Sequence, residues 1–451
     1  MNNHIINVFD LSAYEQAERE IPGLREYGSW CLMFPAPQVA VIMASRGERA
    51  AITGYGQWLC GRGIGTSEIL YTAPHDGGLI EALLVDEDAK QALRAYIARG
   101  YKLNFFTTNE QGTRLLKALG STVNWTENTV NIAPEFRADL DLPQVLYDDL
   151  EKRGLAGILP HPRHFGTTPV DIGNAVTRIL MATPSAPAVL VSPCLLAGGA
   201  GSELVLRRDS HPSETAQRHV QRWSQGGTEI FIVRPTMVES TGFGIHFQNG
   251  VPSCASYRFE TGERIHVGSA LFRNELPPEL LDPHAYARLL GAAHRVATVF
   301  RNRVTRGPYA VNFTLEKNGW VQDPETKITD GESRVGVLRG MNIRNLSEGF
   351  GESLGEQAWG SEWGGGRCVI QRGLDLPRDR GGFQRLMKDL GDLVFDPTTK
   401  RGAVLRLPFA TLDRDHPWRT HMIVLADEFD AGIDQCREIA TRLGGRIPGT
   451  K

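Results

Sequence analysis

The stretch AVLVSPCLLAGGAGSELVL (188–206) decides how this chain is read. AVLVSP (188–193) is a short apolar run rich in valine and ended by a proline, which reads as a buried strand. SELVL resumes strand composition at 202–206. Between them lies a glycine cluster with Gly198, Gly199 and Gly201. Glycine carries no Cβ, so the amides of such a loop can come close to phosphate oxygens. The cluster is not G-x-x-x-x-G-K-[ST] and opens no helix, so a phosphate-covering flap and a plain glycine hairpin both stand. Ser202 closes the cluster, but G-x-S-x-G is absent and no local motif places a histidine or aspartate beside it.

Upstream of this stretch, strands and helices alternate. Residues 1–37 read as a lead-in with a short helix around Tyr14–Arg19. VAVIMAS (39–45), ILYTAP (69–74) and KLNFFTT (102–108) read as strands, and 86–99 and 109–120 as helices closed by Gly100 and Gly120. That alternation predicts a parallel α/β domain. GYGQWLCGRGIG (54–65) is glycine-rich without G-x-G-x-x-G ahead of a helix and reads as a loop. A helix follows at 140–154, closed by Gly154, then a proline-rich connector ILPHP (158–162) and a helix over 171–181.

Downstream, the texture changes to antiparallel sheet. SELVLRR, EIFIVRP, GIHFQNG and SYRFETGERIHVG are short strands joined by Gly, Asn and Pro. A long helix covers 283–304. YAVNFTLEKNGW (309–320) is a strand ending in an Asn-Gly turn, with VGVLRGMNIRN (335–345) as its partner. A helix at 382–393, strands near 403–409 and 420–426, and a helix at 428–443 complete the chain. The expected division is 1–140, 141–235 and 236–451.

Bulk properties narrow the function. The 451 residues are 41% apolar and 22% charged, the composition of a globular protein large enough for a core without staples. A net charge of −3 leaves no electrostatic footprint for nucleic acid. Six cysteines stand scattered with no C-x-x-C pair, as expected of reduced thiols. MNNHIINVFD has neither a basic n-region nor an apolar h-region, and the apolar stretch Trp30–Ala44 is interrupted by Pro35, Pro37 and Gln38. Neither a membrane nor a nucleic acid is expected as a partner, and the expected location is the cytoplasm.

Two further patterns bear on chemistry. His161 and His164 in HPRH have helical ligand spacing, but the flanking Pro160 and Pro162 disfavour a helix, and they read as surface or capping histidines. Asn342 and Arg344 in RGMNIR alternate along a strand and share a face. An amide and a guanidinium together suit an anionic or metal-bound phosphate; a salt bridge and a turn amide are the plainer reading.

Taken in order, these passages resemble the ATP-grasp superfamily, especially the branch with a pre-ATP-grasp N-terminal domain that includes peptide ligases and amide-forming enzymes of natural-product pathways. LNFFTTNEQGTRLLKALG (103–120) is similar to the end of that N-terminal α/β domain. AVLVSPCLLAGGAGSELVL resembles the strand and the flap over the ATP phosphates. EIFIVRP (229–235), with Ile232 and Arg234, resembles the hinge strand that contacts adenine. YAVNFTLEKNGW with LRGMNIRN resembles the paired strands that hold the metals. LVFDPTTKRGAVLRLP and MIVLADEFDAGIDQCREIATRL resemble the C-terminal end. The resemblance implies a mixed α/β and α+β fold, with a parallel N-terminal domain and antiparallel sheets flanking a nucleotide cleft. It implies ATP and Mg²⁺ as cofactors. It also implies carboxylate–amine ligation through an acyl phosphate, in specialised metabolism. Gly198, Gly199, Gly201, Ser202, Ile232 and Arg234 would bind nucleotide, Asn342 and Asn312 metal, and Arg344 would serve catalysis.

The departures are in the charged positions. Ser192 and Leu142 stand where the family carries lysines, and Asn312 and Gly340 stand where it carries metal-binding carboxylates; only Asn342 and Arg344 match. Phosphoryl transfer depends on Mg²⁺ and lysine to neutralise charge, and Mg²⁺ prefers carboxylate oxygens. Glu316, Asp323, Glu325, Asp330 and Glu332 are near enough in sequence to substitute for the carboxylates, and Arg207, Arg208 or Arg234 for a lysine. Two further expectations therefore accompany the ligase: a degenerate protein of this fold that binds nucleotide, metabolite or partner enzyme without phosphoryl transfer, and a nucleotide-independent enzyme reusing the cleft. Expected partners are a small-molecule acid and an amine, with a partner enzyme and a homodimer as further candidates.

Overall fold

The computed structural model describes residues 4–10, 27–106, 110–120, 143–194, 202–224, 230–261, 266–273, 275–300, 308–317, 319–342, 348–377, 383–406 and 418–449. The short helix expected around Tyr14–Arg19 lies outside them.

Strands β1 (Ile5–Val8), β2 (Val39–Met43), β3 (Ile69–Thr72) and β4 (Lys102–Phe105) form a parallel sheet in the order β3-β2-β1-β4. IINV and VAVIM are almost wholly buried, as a parallel sheet covered on both faces requires. The helices here are α1 (Tyr27–Trp30), α2 (Arg46–Cys60), α3 (Leu79–Val85), α4 (Glu87–Ala98) and α5 (Glu110–Ala118). Strand β1 falls in what the sequence suggests is a mere lead-in. The glycine-rich 54–65 segment is also corrected: Gly54 to Cys60 close helix α2. That helix is started by Ser45, whose backbone N–H and Oγ both donate to Glu48 Oε2, at 2.8 and 2.6 Å. Tertiary burial of Ile52, Tyr55 and Leu59 holds it in spite of its glycines. The stops at Gly100 and Gly154 do behave as expected, with φ of 89° and 74°.

A second sheet has the antiparallel order β5-β8-β6-β7, from β5 (His164–Gly166), β6 (Ala188–Pro193), β7 (Glu203–Leu206) and β8 (Phe231–Thr236). Against it lie α7 (Pro169–Ala182) and α8 (Pro212–Trp223), whereas α6 (Pro143–Lys152) sends Tyr147 and Leu150 into the core of the third sheet. Strands β6 and β7 pair from Ala188↔Leu206 to Val191↔Glu203, so the glycine cluster joins two antiparallel neighbours. The ATP-grasp resemblance implies that this sheet is a lid, and we label it so.

The third sheet has eight strands in the order β13-β12-β9-β10-β11-β14-β16-β15. They are β9 (Thr241–Gln248), β10 (Val251–Glu260), β11 (His266–Phe272), β12 (Pro308–Lys317), β13 (Arg334–Asn342), β14 (Cys368–Leu376), β15 (Gly402–Arg406) and β16 (Trp418–Ala426). The helices of this region are α9 (Pro283–Phe300), α10 (Glu348–Trp359), α11 (Phe383–Leu390) and α12 (Phe429–Arg442). Strands β9 and β10 are joined at Asn249-Gly250, with φ of 52° and 81°, the two positive values of a two-residue hairpin turn. Strands β12 and β13 pair as the sequence suggests. They are not joined by a tight Asn-Gly turn: residues 318–333 intervene.

Because side chains alternate along a strand, this sheet has two characters. One face buries Phe243, Ile245, Phe247, Val311, Phe313, Leu315 and Leu338 in a large core with α9 and α12. The opposite face carries Gly244, His246, Ser256, Arg258 and Asn312 over strands β9, β10 and β12. Further along the same face, Leu271, Val369, Ile423 and Leu425 join a second core that runs through α10 to the N-terminal domain and the lid. Among the described residues no helix is long and apolar enough to cross a membrane.

Candidate active site on the polar sheet face

The register of β12, β13 and β9 assembles the floor of the site. Asn312 lies opposite Gly340 on one side and Gly244 on the other, and Asn342 lies opposite Ala310. Asn312, Gly340 and Asn342 thus come together on one face. At Gly340 the backbone has φ 156° beside a bulge at Asn312/Phe313, and an added Cβ would meet nothing within 4 Å. Arg344, Gly198, Gly199 and Gly201, and Leu142, lie outside the described residues.

Next to Asn312 the floor closes around Gly244. A Cβ there would stand 2.6 Å from Ser256 Oγ, 3.0 Å from Asn312 Oδ1 and 3.3 Å from His246 Nε2. Only glycine lets these three polar groups converge. His246 Nε2 lies 2.9 Å from Ser256 Oγ, and burial lowers the imidazole to about 4, keeping it neutral.

Farther along the face, charge is concentrated. Glu348, the first residue of α10, accepts from Ser269 Oγ at 3.0 Å and lies 3.6 Å from His266 Nε2. Burial pushes its carboxyl up, but its coupling to His266, Arg258 and His246 outweighs that and holds it below the ordinary carboxylate range. Burial lowers His266 to about 4. Glu260 pairs with Arg339 and lies 3.9 Å from Arg258 Nε. Buried ionisable groups with perturbed titration, gathered on one sheet face, make this a candidate functional site.

The lid meets this floor through one more buried pair. Glu316, on the Asn312 face and 1% exposed, accepts from Arg234 Nη1 at 3.2 Å and from Thr236 Oγ1 at 2.9 Å. Arg234, 5% exposed, is therefore committed to the lid–floor junction. Ile232, also on β8, is partly buried and packs against the larger core. Ser192 and Ser202 face each other across β6 and β7 with Oγ atoms 3.0 Å apart. Arg207 donates to the carbonyls of Leu180, Thr183 and Ala186 around the end of α7, so it is no stand-in for a lysine. His164, in β5, pairs with the Asp171 side chain at 2.9 Å, whereas the cap of α7 is Thr168, and His161 lies with His164 along a surface groove with Arg163 and Gln322.

Residues His246, Ser256, Arg258, Glu260, His266, Arg339 and Glu348 are not singled out by any motif. The signal for His246, Ser256, Arg258 and Glu260 is the alternation of G-I-H-F and S-Y-R-F-E, which puts polar side chains on one face of a half-buried strand.

The donor set does not fit a Mg²⁺ site built on paired carboxylates. Asn312 offers an uncharged amide, Gly340 offers no side chain, and Glu316 is held by Arg234. Asp323 caps Thr326 at 2.7 Å and Asp330 pairs with Arg334 at 2.6 Å. Both, with Glu325 and Glu332, belong to the connection between β12 and β13 rather than to the floor.

By sequence, no family model and no curated protein matches the chain. By structure, it is similar to the biotin carboxylase–β,γ-ATP complex of Campylobacter jejuni, at TM-score 0.54 and 11% identity over 99% of this chain and 92% of that one. It is also similar to the biotin carboxylase domain dimer of Hydrogenobacter thermophilus 2-oxoglutarate carboxylase, solved with MgADP, ADP and bicarbonate, at TM-score 0.55 and 12% identity over 100% and 91%. A third likeness is N5-carboxyaminoimidazole synthase of Aspergillus clavatus with ADP and 5-aminoimidazole ribonucleotide, at TM-score 0.52 and 9% identity over 98% and 99%. At such identities the likeness is one of architecture: a parallel four-stranded sheet joined with two antiparallel sheets, matching these structures over nearly the whole chain.

Proposed function

We propose that the chain is an ATP-dependent carboxylate–amine ligase with its site between the lid and the polar floor. The observation that carries the reading is the buried floor itself, where Arg258, Arg339, His266, Glu260 and Glu348 are held together, on a sheet joined to β8 by the Arg234–Glu316 pair. The neighbours of this fold were solved with ATP-type ligands, ADP and bicarbonate, which supports a nucleotide and a small acid as ligands.

In the reaction, a carboxylate oxygen of the acid attacks the γ-phosphorus of ATP, and the bond to the bridging oxygen of ADP breaks. The amine nitrogen then attacks the acyl carbon, phosphate leaves with the C–O bond electrons, and the amine proton passes to solvent. Arg258 and Arg339, rather than paired carboxylates with a metal, are the floor's means of holding an anion, with Arg344 close in sequence. Ser202 and the glycines beside it would cover the phosphates, and Asn312 and Asn342 would orient them. We place the N-terminal domain, the lid and the floor at 1–140, 141–235 and 236–451, as a member of the pre-ATP-grasp branch acting in specialised metabolism.

The test is formation of ADP and amide over a matrix of acids and amines. No ADP or phosphate with any pair would remove the ligase reading. A second reading then gains, a nucleotide- or metabolite-binding protein without phosphoryl transfer. It is favoured by Asn312 facing Gly340 where a metal pair would sit.

A further inference from the structure

On the same sheet face, one rung from Asn312, His246 of the floor belongs to a second group of side chains. His246 on β9 and Cys254 on β10 are direct cross-strand partners. Helix α10 lays Glu352 over them. One ligand atom from each of His246, Cys254 and Glu352 lies within 4.8 Å of the other two. We propose that His246, Cys254 and Glu352 form a site for a zinc-class transition metal, which clamps α10 onto strands β9 and β10.

The chemistry of the three donors fits that class of metal. Thiolate and imidazole are ligands of borderline and soft cations, and a carboxylate completes the kind of three-ligand set that leaves one tetrahedral position for water. Bond lengths of about 2.0–2.3 Å put tetrahedral ligand atoms roughly 3.5 Å apart, so the side chains need close by only about an ångström. Mg²⁺ would not choose a thiol.

The surroundings fit as well. His246 Nε2 is held at 2.9 Å by Ser256 Oγ, which orients the ring and leaves Nδ1 as the nitrogen for a metal. A metal-bound histidine with its other nitrogen anchored in this way is the usual arrangement. Helix α10 comes down closely on the sheet: a Cβ at Gly351 would stand 2.0 Å from Gln371 Nε2 and 3.0 Å from Leu271 Cδ1. That approach fixes Glu352, next along the helix, over the strands. His246 and Cys254 are buried and Glu352 is half-buried, so the site is shielded with one side toward solvent. On binding, the Cys254 S–H proton and any Glu352 proton leave to water, and no electron is transferred. The competing description is a protonated Glu352 hydrogen-bonded to the Cys254 thiol and to Ser253, without metal.

The two descriptions separate in cobalt and zinc titrations of the full-length protein after dialysis against a chelator. The expected result is one equivalent of Co²⁺ with a thiolate-to-cobalt charge-transfer band in the near ultraviolet and the strong visible bands of a four-coordinate ion. Cys254→Ser removes the charge-transfer band. Glu352→Gln, at the solvent side of the site and so the gentler change, weakens binding at least tenfold while the circular-dichroism spectrum stays that of the parent. Zn²⁺ raises the melting temperature of the parent and not of Glu352→Gln. Absence of the band in the parent, or its persistence in Cys254→Ser, overturns the site, as does a zinc shift unchanged in Glu352→Gln. None of these readouts depends on ATP, so the site stands or falls separately from the ligase.

Discussion

Arg234 of the lid and Glu316 of the floor form a single buried ion pair, with Nη1 3.2 Å from Oε1, and Thr236 Oγ1 donating to the same oxygen at 2.9 Å. The pair ties strand β8 to β12, the strand that carries Asn312. It also removes Glu316 from the carboxylates available to a metal.

Breaking one side of this pair strands a buried charge. Glu316→Ala is expected to cost about 3–5 kcal/mol, because Arg234 is left uncompensated. The double change Arg234→Met with Glu316→Leu is expected to recover most of that loss, because no charge remains to desolvate. Denaturant unfolding of the two variants measures the difference.

Asn312 lies opposite Gly340, so the paired strands bring together an amide and an empty position where a metal would need oxygens of charge. Asn312→Asp restores one hard donor on the floor. Nucleotide binding by that variant is expected to become more dependent on Mg²⁺ than binding by the parent, by about tenfold, the size of a single charged contact worth roughly 1.4 kcal/mol. Titration of both proteins with ATP over a Mg²⁺ series reads it out.

Acid is expected to loosen the floor. The Glu348 carboxyl is depressed in the folded chain, so its contribution is present above the unfolded value near 4.5 and is lost as pH falls below it. His266 is lowered to about 4 from 6.5, so the unfolded chain takes up its proton first, and stability falls as pH drops through that window. The two effects have the same sign. Around His266, the charges of Arg258, Arg339, Glu260 and Glu348 set this balance. Together they predict a melting temperature that is flat above about pH 7 and declines towards pH 4, with His266 alone contributing up to about 3 kcal/mol. His266→Gln should flatten the upper part of that decline.

The N-terminal domain is joined to the floor by Tyr55, whose Oη donates to the Leu405 carbonyl at 2.7 Å from within the core. Tyr55→Phe keeps the ring and strands the carbonyl, at an expected cost of about 1–2 kcal/mol. A loss within that range, with unchanged nucleotide binding, checks that this contact is structural.

Much of the architecture is legible in local patterns. AVLVSP is a strand from Ala188 to Pro193 as written, and the expected pairing of 335–345 with 309–320 is met between Arg334–Asn342 and Ala310–Lys317. The segment 54–65 is the instructive exception: Gly54 and Gly56 lower its helix propensity, but burial of Tyr55 and Leu59 overrides it. Strand β1 is only four residues long, too short for periodicity to declare. In the site, the sequence identifies the strand positions of Asn312, Gly340 and Asn342. It does not reveal Glu348 or Glu352, because helix α10 reaches the floor only through tertiary packing. It also does not reveal that Glu316 is spoken for, since Arg234 approaches from another sheet, 82 residues away.

The measurement closest to the central claim is calorimetric titration of the full-length protein with ATP and a non-hydrolysable analogue, each with and without Mg²⁺. The account expects saturable, one-to-one binding of both nucleotides at micromolar concentrations, and weaker binding after Arg258→Ala or Arg339→Ala. No binding of either nucleotide, with or without Mg²⁺, would contradict a nucleotide site between the lid and the floor.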